Sequence, residues 1–219
     1  MDNIAYQKFL KILENENKDE AVRFVLSLLT DSSVSLDMLY QNFLIPALQN
    51  FTCKVEDEKI CIWKEHIRSS IIRTLLECTY PHLIREKQKE TPLNKKVIVV
   101  CPQEEYHEIG AIITSHYFNL AGFDSMFIGA NTPNEQIITA VKAFEPDYLA
   151  ISVTNYYNLV ATKIVTESLS LTNPDLRIIV GGQAFSTKGA LNTVKHHYHF
   201  QSKDDVFRLA AEVRNEGRI

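Results

Sequence analysis

The chain has 219 residues, enough for one large domain or two small ones, with the 45% hydrophobic and 23% charged content of an ordinary globular protein. Its formal net charge of −4 excludes a global basic field that would draw nucleic acid, and no apolar run reaches the roughly 20 residues that span a bilayer. The amino terminus, MDNIAYQKF, lacks the basic-then-apolar layout of a secretion signal, which points to the cytoplasm.

All seven glycines lie at or after Gly110, so the first 109 residues read as a helical region with few tight turns. Ile4, Phe9, Ile12 and Leu13 mark a first amphipathic helix. Ala21, Val22, Phe24, Val25 and Leu28 mark a second, capped near Asn17 or Asp19. Leu36, Leu39, Phe43, Leu44 and Ala47 mark a third, which Pro46 should bend. Ile60, Trp63, Ile67, Ile71, Leu75 and Cys78 recur at three- and four-residue steps and predict a long fourth helix, with Trp63 in the core. Together they predict a helical bundle over 1–88. A polar, yielding linker is expected from Arg85 to Lys96, with Pro92 inside it.

From there the pattern changes. KKVIVV (95–100) ends in a β-branched run, and a helix is predicted from Ile109 to Ala121. A weaker strand follows at Ser125–Ile128, then a helix at 134–144, a strand at 148–153 and a helix at 159–171. RIIV (177–180) reads as a strand, HYHF (197–200) as an edge strand and 204–214 as a last helix. This alternation predicts an α/β domain over 95–219, a doubly wound parallel sheet of Rossmann or flavodoxin type behind the helical bundle. In such sheets ligands sit at the carboxyl ends of the strands, where strand order reverses.

Three polar clusters fall on that edge. After the first strand comes Glu105-Tyr106-His107-Glu108-Ile109-Gly110; after the third, Ser152-Val153-Thr154 with Asn155 and Asn158; after the fourth, Gly181-Gly182-Gln183-Ala184-Phe185. Singly each has an ordinary explanation: a solvated histidine, a helix cap, a tight turn, a core phenylalanine. Their recurrence on one rim argues for a shared ligand. The loop Gly129-Ala130-Asn131-Thr132-Pro133 ends the second strand on the same rim, either to touch the ligand or to cap the next helix at Thr132 or Asn134. The four cysteines are scattered and predict reduced thiols. His196, His197 and His199 read as edge-strand residues, with His196 facing away from the other two.

These clusters resemble the D-x-H-x-x-G, S-x-L and G-G motifs of the cobalamin-binding domain shared by methionine synthase, corrinoid methyltransferase proteins and B12-dependent light-responsive regulators. The resemblance covers 95–215, and the helical half is similar to the cap domain of those proteins. Glu105 stands where the family has Asp, and Thr154 where it has Leu. The resemblance implies cobalamin, as adenosylcobalamin or methylcobalamin, held base-off between the two halves. His107 would be the lower cobalt ligand, since imidazole suits a borderline transition metal. Glu105 would orient its second nitrogen and Asn158 would hold that carboxylate. Gly181 and Gly182 would leave room for the displaced nucleotide tail, Ser152 would offer it a hydroxyl and Phe185 would pack on it. Gly110 would let the following helix approach closely. On the fourth helix Glu65-His66 resembles the E-H pair of the regulators, over the upper face; their Trp ten residues before the Glu is absent, Val55 standing there, and Trp63, which shares a helix face with His66, is the alternative lid if it is not in the core.

Two functions are implied. One is a non-enzymatic cobalamin-binding sensor, with no DNA-binding segment ahead of the bundle and therefore acting through a protein partner or homo-oligomerisation. The other is a corrinoid protein that carries methyl groups between methyltransferases. Neither implies direct nucleic-acid or membrane binding.

Overall fold

The computed structural model describes residues 3–31, 33–52 and 58–216 and divides into two compact units, 1–85 and 86–219. Cys53 and Val55 lie outside the described residues.

The first unit is helical: α1 (Asn3–Glu14), α2 (Lys18–Thr30), α3 (Leu36–Leu39), α4 (Ile45–Gln49) and α5 (Glu58–Lys87). Asn17 caps α2, its side chain accepting the Glu20 N–H at 3.1 Å. Between α3 and α4 the helix widens to a π turn over Tyr40–Leu44, where the Ile45 N–H reaches back to the Tyr40 carbonyl. Pro46 supplies the reason: it has no N–H for the Asn42 carbonyl and its ring would press on that oxygen, so the ladder shifts register one residue early.

Phe9, Ile12 and Leu13 are buried, as their spacing predicts, but Ile4 is 80% exposed. At 3.6 residues per turn Ile4 stands about 140° round the helix from Phe9. On α5 the buried row is Arg68, Ile71, Ile72, Leu75, Leu76, Thr79 and Leu83. Trp63 is 56% exposed, which overturns the expected core position. Nine residues before Ile72, it faces about 180° away from that row. Cys61 is disulfide-bonded while Cys78 and Cys101 are free, so the expectation of reduced thiols throughout fails at Cys61.

The second unit holds β1 (Lys96–Val100), α6 (Ile109–Leu120), β2 (Asp124–Phe127), α7 (Asn134–Phe144), β3 (Tyr148–Ser152), α8 (Leu159–Thr172), β4 (Arg177–Gly181), β5 (Tyr198–Phe200) and α9 (Lys203–Glu216). All strand pairs are parallel, in the order β2-β1-β3-β4-β5. The central strands are apolar runs because helices cover both faces: α7 and α8 pack together on one, α6 and α9 on the other. Ile98, Val100, Leu149, Ile151, Ile178 and Val180 point into the α7–α8 core with Val165 and Leu169. His197 precedes β5, and its Nδ1 accepts the Ile178 N–H at 2.9 Å.

The expected yielding linker is tied down from Glu86 onward. The Leu93 N–H donates to the Gly122 carbonyl at 2.8 Å, and Arg214 of α9 donates to the Ala121 carbonyl at 2.9 Å while lying 3.6 Å from Glu90. Gly122 has φ +95, and a Cβ there would stand 2.7 Å from the Thr91 carbonyl oxygen. Polar composition alone did not register these backbone partners.

Candidate cofactor site

Strand order reverses between β1 and β3, and the loops leaving them form the rim on which the three sequence clusters were expected. The β1 loop carries Glu105 and His107. The β3 loop carries Thr154, Asn155 and Asn158, and the β2 loop carries Gly129–Pro133.

Glu105 is fully buried and accepts five hydrogen bonds. Its Oε1 takes the His107 backbone N–H at 3.0 Å and lies 2.5 Å from His107 Nδ1. Its Oε2 takes the Thr154 N–H at 2.9 Å, the Asn155 N–H at 2.8 Å and Asn158 Nδ2 at 3.1 Å. Burial pushes the Glu105 pKa up, but the N–H donors of Asn155, His107 and Asn158 outweigh it and hold the carboxyl below its usual range. An ionised carboxylate only accepts, so Nδ1 carries the ring hydrogen and Nε2 keeps its lone pair in the neutral ring. The longer Glu thus performs the orienting contact that the shorter Asp of the motif would make. Asn158 is 5% exposed and its Nδ2 also donates to the Glu104 carbonyl at 3.1 Å.

The His107 side chain is 64% exposed, on the rim, with Nδ1 engaged. Tyr106 beside it is also exposed, and Glu108 and Ile109 are half-buried. At the base of the loop, burial, then the charges of Glu105 and Glu108, push the Cys101 thiol up to about 12.

The chain constrains the three glycines of the clusters differently. A Cβ on Gly110 would meet nothing within 4 Å, so close approach of α6 does not explain it. Gly182 has φ +102, and a Cβ would stand 2.4 Å from the Val153 carbonyl oxygen; on Gly181 it would stand 2.9 Å from that of Phe200. Both are therefore required by the approach of backbone to backbone. Ser152 pairs in register with Gly181, and Gln183 is exposed. Phe185 is buried in the α7–α8 core, its ring 6.0 Å from His199. Neither Thr132 nor Asn134 caps α7: Pro133 holds that position, and the Thr132 hydroxyl bonds the Gly129 carbonyl. Glu65 and His66 are exposed on α5 of the helical unit. A cavity of ≈ 430 Å³ lined by Tyr148 and Arg177 lies at the amino ends of β3 and β4, away from this rim.

Asn155, next to Thr154, and Asn131, within the β2-loop run, were placed on the rim by the sequence but given no individual role; both contribute to it. Asn131 adopts φ +48 and its Oδ1 accepts the Glu104 N–H at 2.8 Å. An Asn just past a Gly at a strand end was the available signal, because Asn tolerates the left-handed region.

The residues present fit cobalamin: an exposed imidazole with one nitrogen fixed by a buried carboxylate, beside a glycine whose added Cβ would meet nothing within 4 Å among the described residues. A family profile described as B12 binding domain matches residues 95–210. The HTH-type transcriptional repressor CarA of Myxococcus xanthus is 24% identical over 204 residues, which is 87% of this chain and 64% of that protein's length. The monomethylamine corrinoid protein of Methanosarcina barkeri superimposes with a TM-score of 0.79 at 16% identity, over 97% of this chain and 100% of that one. The methanol:cobalamin methyltransferase complex of the same organism matches at TM-score 0.50 and 15% identity, over 98% of this chain and 81% of that one. Among the described residues no helix is long and apolar enough to cross a membrane. By the profile match over more than half its length, with cobalamin as the cofactor this implies, the chain belongs to the B12-binding domain family.

Proposed function

We propose that this chain is a cobalamin-binding regulatory module that holds its cofactor base-off with His107 as the lower axial ligand. One observation carries the ligand assignment: the carboxylate of Glu105 fixes Nδ1 of an exposed imidazole on the switch-point rim. Bound cobalamin supplies a cobalt centre whose upper alkyl group can be lost or transferred. The protein's part is to present Nε2, to keep the ring in one tautomer and to raise its basicity as a ligand. Glu65 and His66 are proposed to meet the upper face, on the family resemblance alone.

The regulatory reading rests on similarity to the Myxococcus xanthus repressor along 87% of the chain. The module would act through a protein partner or through self-association, and light is one candidate stimulus. Similarity to a corrinoid protein over nearly all of this chain favours a second reading, a carrier of methyl groups between methyltransferases.

The test is to load the protein in the dark with adenosylcobalamin or methylcobalamin and record visible spectra of the parent and of His107→Ala. The parent should show a nitrogen-ligated spectrum that the variant lacks and that added imidazole restores. Identical spectra and affinities would overturn the ligand assignment. Light-dependent change in assembly of the adenosyl form supports the regulator. Turnover of the methyl form with a methyl acceptor, without any such change, supports the carrier.

A further inference from the structure

We infer that Asn131, on the loop after β2, is a positioning residue that sets the lower ligand from outside the His107 loop. The inference rests on the reading of His107 as that ligand. The segment between β1 and α6 spans only 101–108, and it reverses at Glu104, which adopts φ +67. A non-glycine residue holds that conformation only where its surroundings impose it. Here it comes from two sources: the 102–105 turn, closed by the Glu105 N–H to the Pro102 carbonyl at 3.0 Å, and Asn131. Its Oδ1 accepts the Glu104 N–H at 2.8 Å, and its own N–H donates to the Glu105 carbonyl at 2.8 Å. Asn131, itself left-handed like Glu104, thus holds the reversal through a side-chain bond to Glu104 and a main-chain bond to Glu105. From the opposite side Asn158 donates to the Glu104 carbonyl and to the Glu105 carboxylate.

The consequence is directional. Glu105 orients His107, but the backbone from which both side chains project is fixed at 104–105, and Asn131 holds that backbone to the β2 loop. The Cys101 N–H to the Gly129 carbonyl and the Thr132 N–H to the Cys101 carbonyl, at 3.0 and 3.1 Å, brace the β2 loop against the start of the same segment. Removing the Asn131 acceptor frees the Glu104 N–H and lets the reversal relax. The imidazole would then sample positions in which Nε2 no longer meets a metal over the rim. Supporting groups of this kind typically change metal affinity by about tenfold or more.

Three substitutions separate the contributions. Asn131→Gly keeps the left-handed backbone and the main-chain donor but lacks the acceptor. Asn131→Asp keeps the acceptor. Asn131→Ala lacks the acceptor and disfavours the conformation. Each is titrated with methylcobalamin and with cobinamide, which has no nucleotide tail, and its visible spectrum and apo melting temperature are recorded. We expect the Gly and Ala variants to show a lower nitrogen-ligated fraction among bound molecules and about tenfold weaker binding, with Asp recovering much of both. A merely structural role would lower the melting temperature and leave the ligated fraction of the bound form intact, and that result overturns the inference. So does a Gly variant with the parent's spectrum and affinity. If parent and His107→Ala already give the same spectrum, the ligand assignment itself has failed, an outcome distinct from either.

Discussion

Glu105 and His107 meet twice through one oxygen atom: Oε1 accepts the His107 backbone N–H at 3.0 Å and stands 2.5 Å from its Nδ1. The two residues are a self-contained unit, because the carboxylate that orients the ring also fixes the peptide from which the ring grows. The other oxygen is held by three donors from the β3 loop, so the pair is anchored to the sheet's switch point.

Removing that carboxylate therefore reaches beyond the ligand. Glu105→Ala leaves the part-buried N–H groups of Thr154 and Asn155 without their acceptor and should destabilise the α/β unit by about 2 kcal/mol. Glu105→Gln should lose less, since its amide oxygen can serve one side of the site only. Urea unfolding of the apo protein measures this, and an Ala variant as stable as the parent would show that water replaces the carboxylate.

Acid should act through two buried groups in the same direction. Burial holds the His116 pKa down to about 4 from an ordinary 6.5. Between those values the unfolded chain binds a proton that the folded chain refuses, so stability falls as pH falls across the window, by roughly 3 kcal/mol. The depressed Glu105 pKa adds a contribution that is full above 4.5 and lost as pH drops through its folded value. Denaturant midpoints at pH 7, 5.5 and 4.5 should decline, and His116→Gln should flatten the upper part of the decline. An unchanged slope in that variant would count against the assignment.

Substitution at Gly182 should injure the sheet whether or not cofactor is present. Its φ of +102 costs any other residue about 1–3 kcal/mol, and the Cβ would additionally collide with the Val153 carbonyl. Gly182→Ala is expected to lower the apo melting temperature by several degrees. A variant with the parent's stability and selectively lost cobalamin binding would instead point to a tail channel at this position.

The segment after Glu86 should resist proteolysis before any ligand is added. Lys95 pairs with Asp147 at 2.8 Å, Leu93 bonds Gly122, and Arg214 clasps Ala121 and Glu90. Trypsin should cut apo protein slowly after Lys95 and Lys96, and Arg214→Ala should raise that rate several-fold. Rapid cleavage there in the parent would restore the picture of a yielding linker.

By itself the sequence determined the strand and helix alternation and the rim on which the three clusters lie. Buried parallel strands must be apolar on both faces, so KVIVV and YLAIS declare themselves locally, and a loop after such a strand has one end of the sheet to occupy. The pairing of Glu105 with His107 was implied by the motif resemblance, and whether the longer carboxylate keeps the contact was decided by the structure. What only the tertiary structure decided is everything that joins residues far apart in the chain. The order β2-β1-β3-β4-β5 brings Thr154, Asn155 and Asn158 to a carboxylate about fifty positions earlier. Asn131 meets Glu104 only because β1 and β2 are neighbours. Trp63 fits an apolar repeat but faces away from the buried row, and Gly182 is fixed by the backbone of a different strand. Periodicity records which residues could share a face, whereas burial and hydrogen-bond partners depend on which elements pack together, and that is a property of the folded chain.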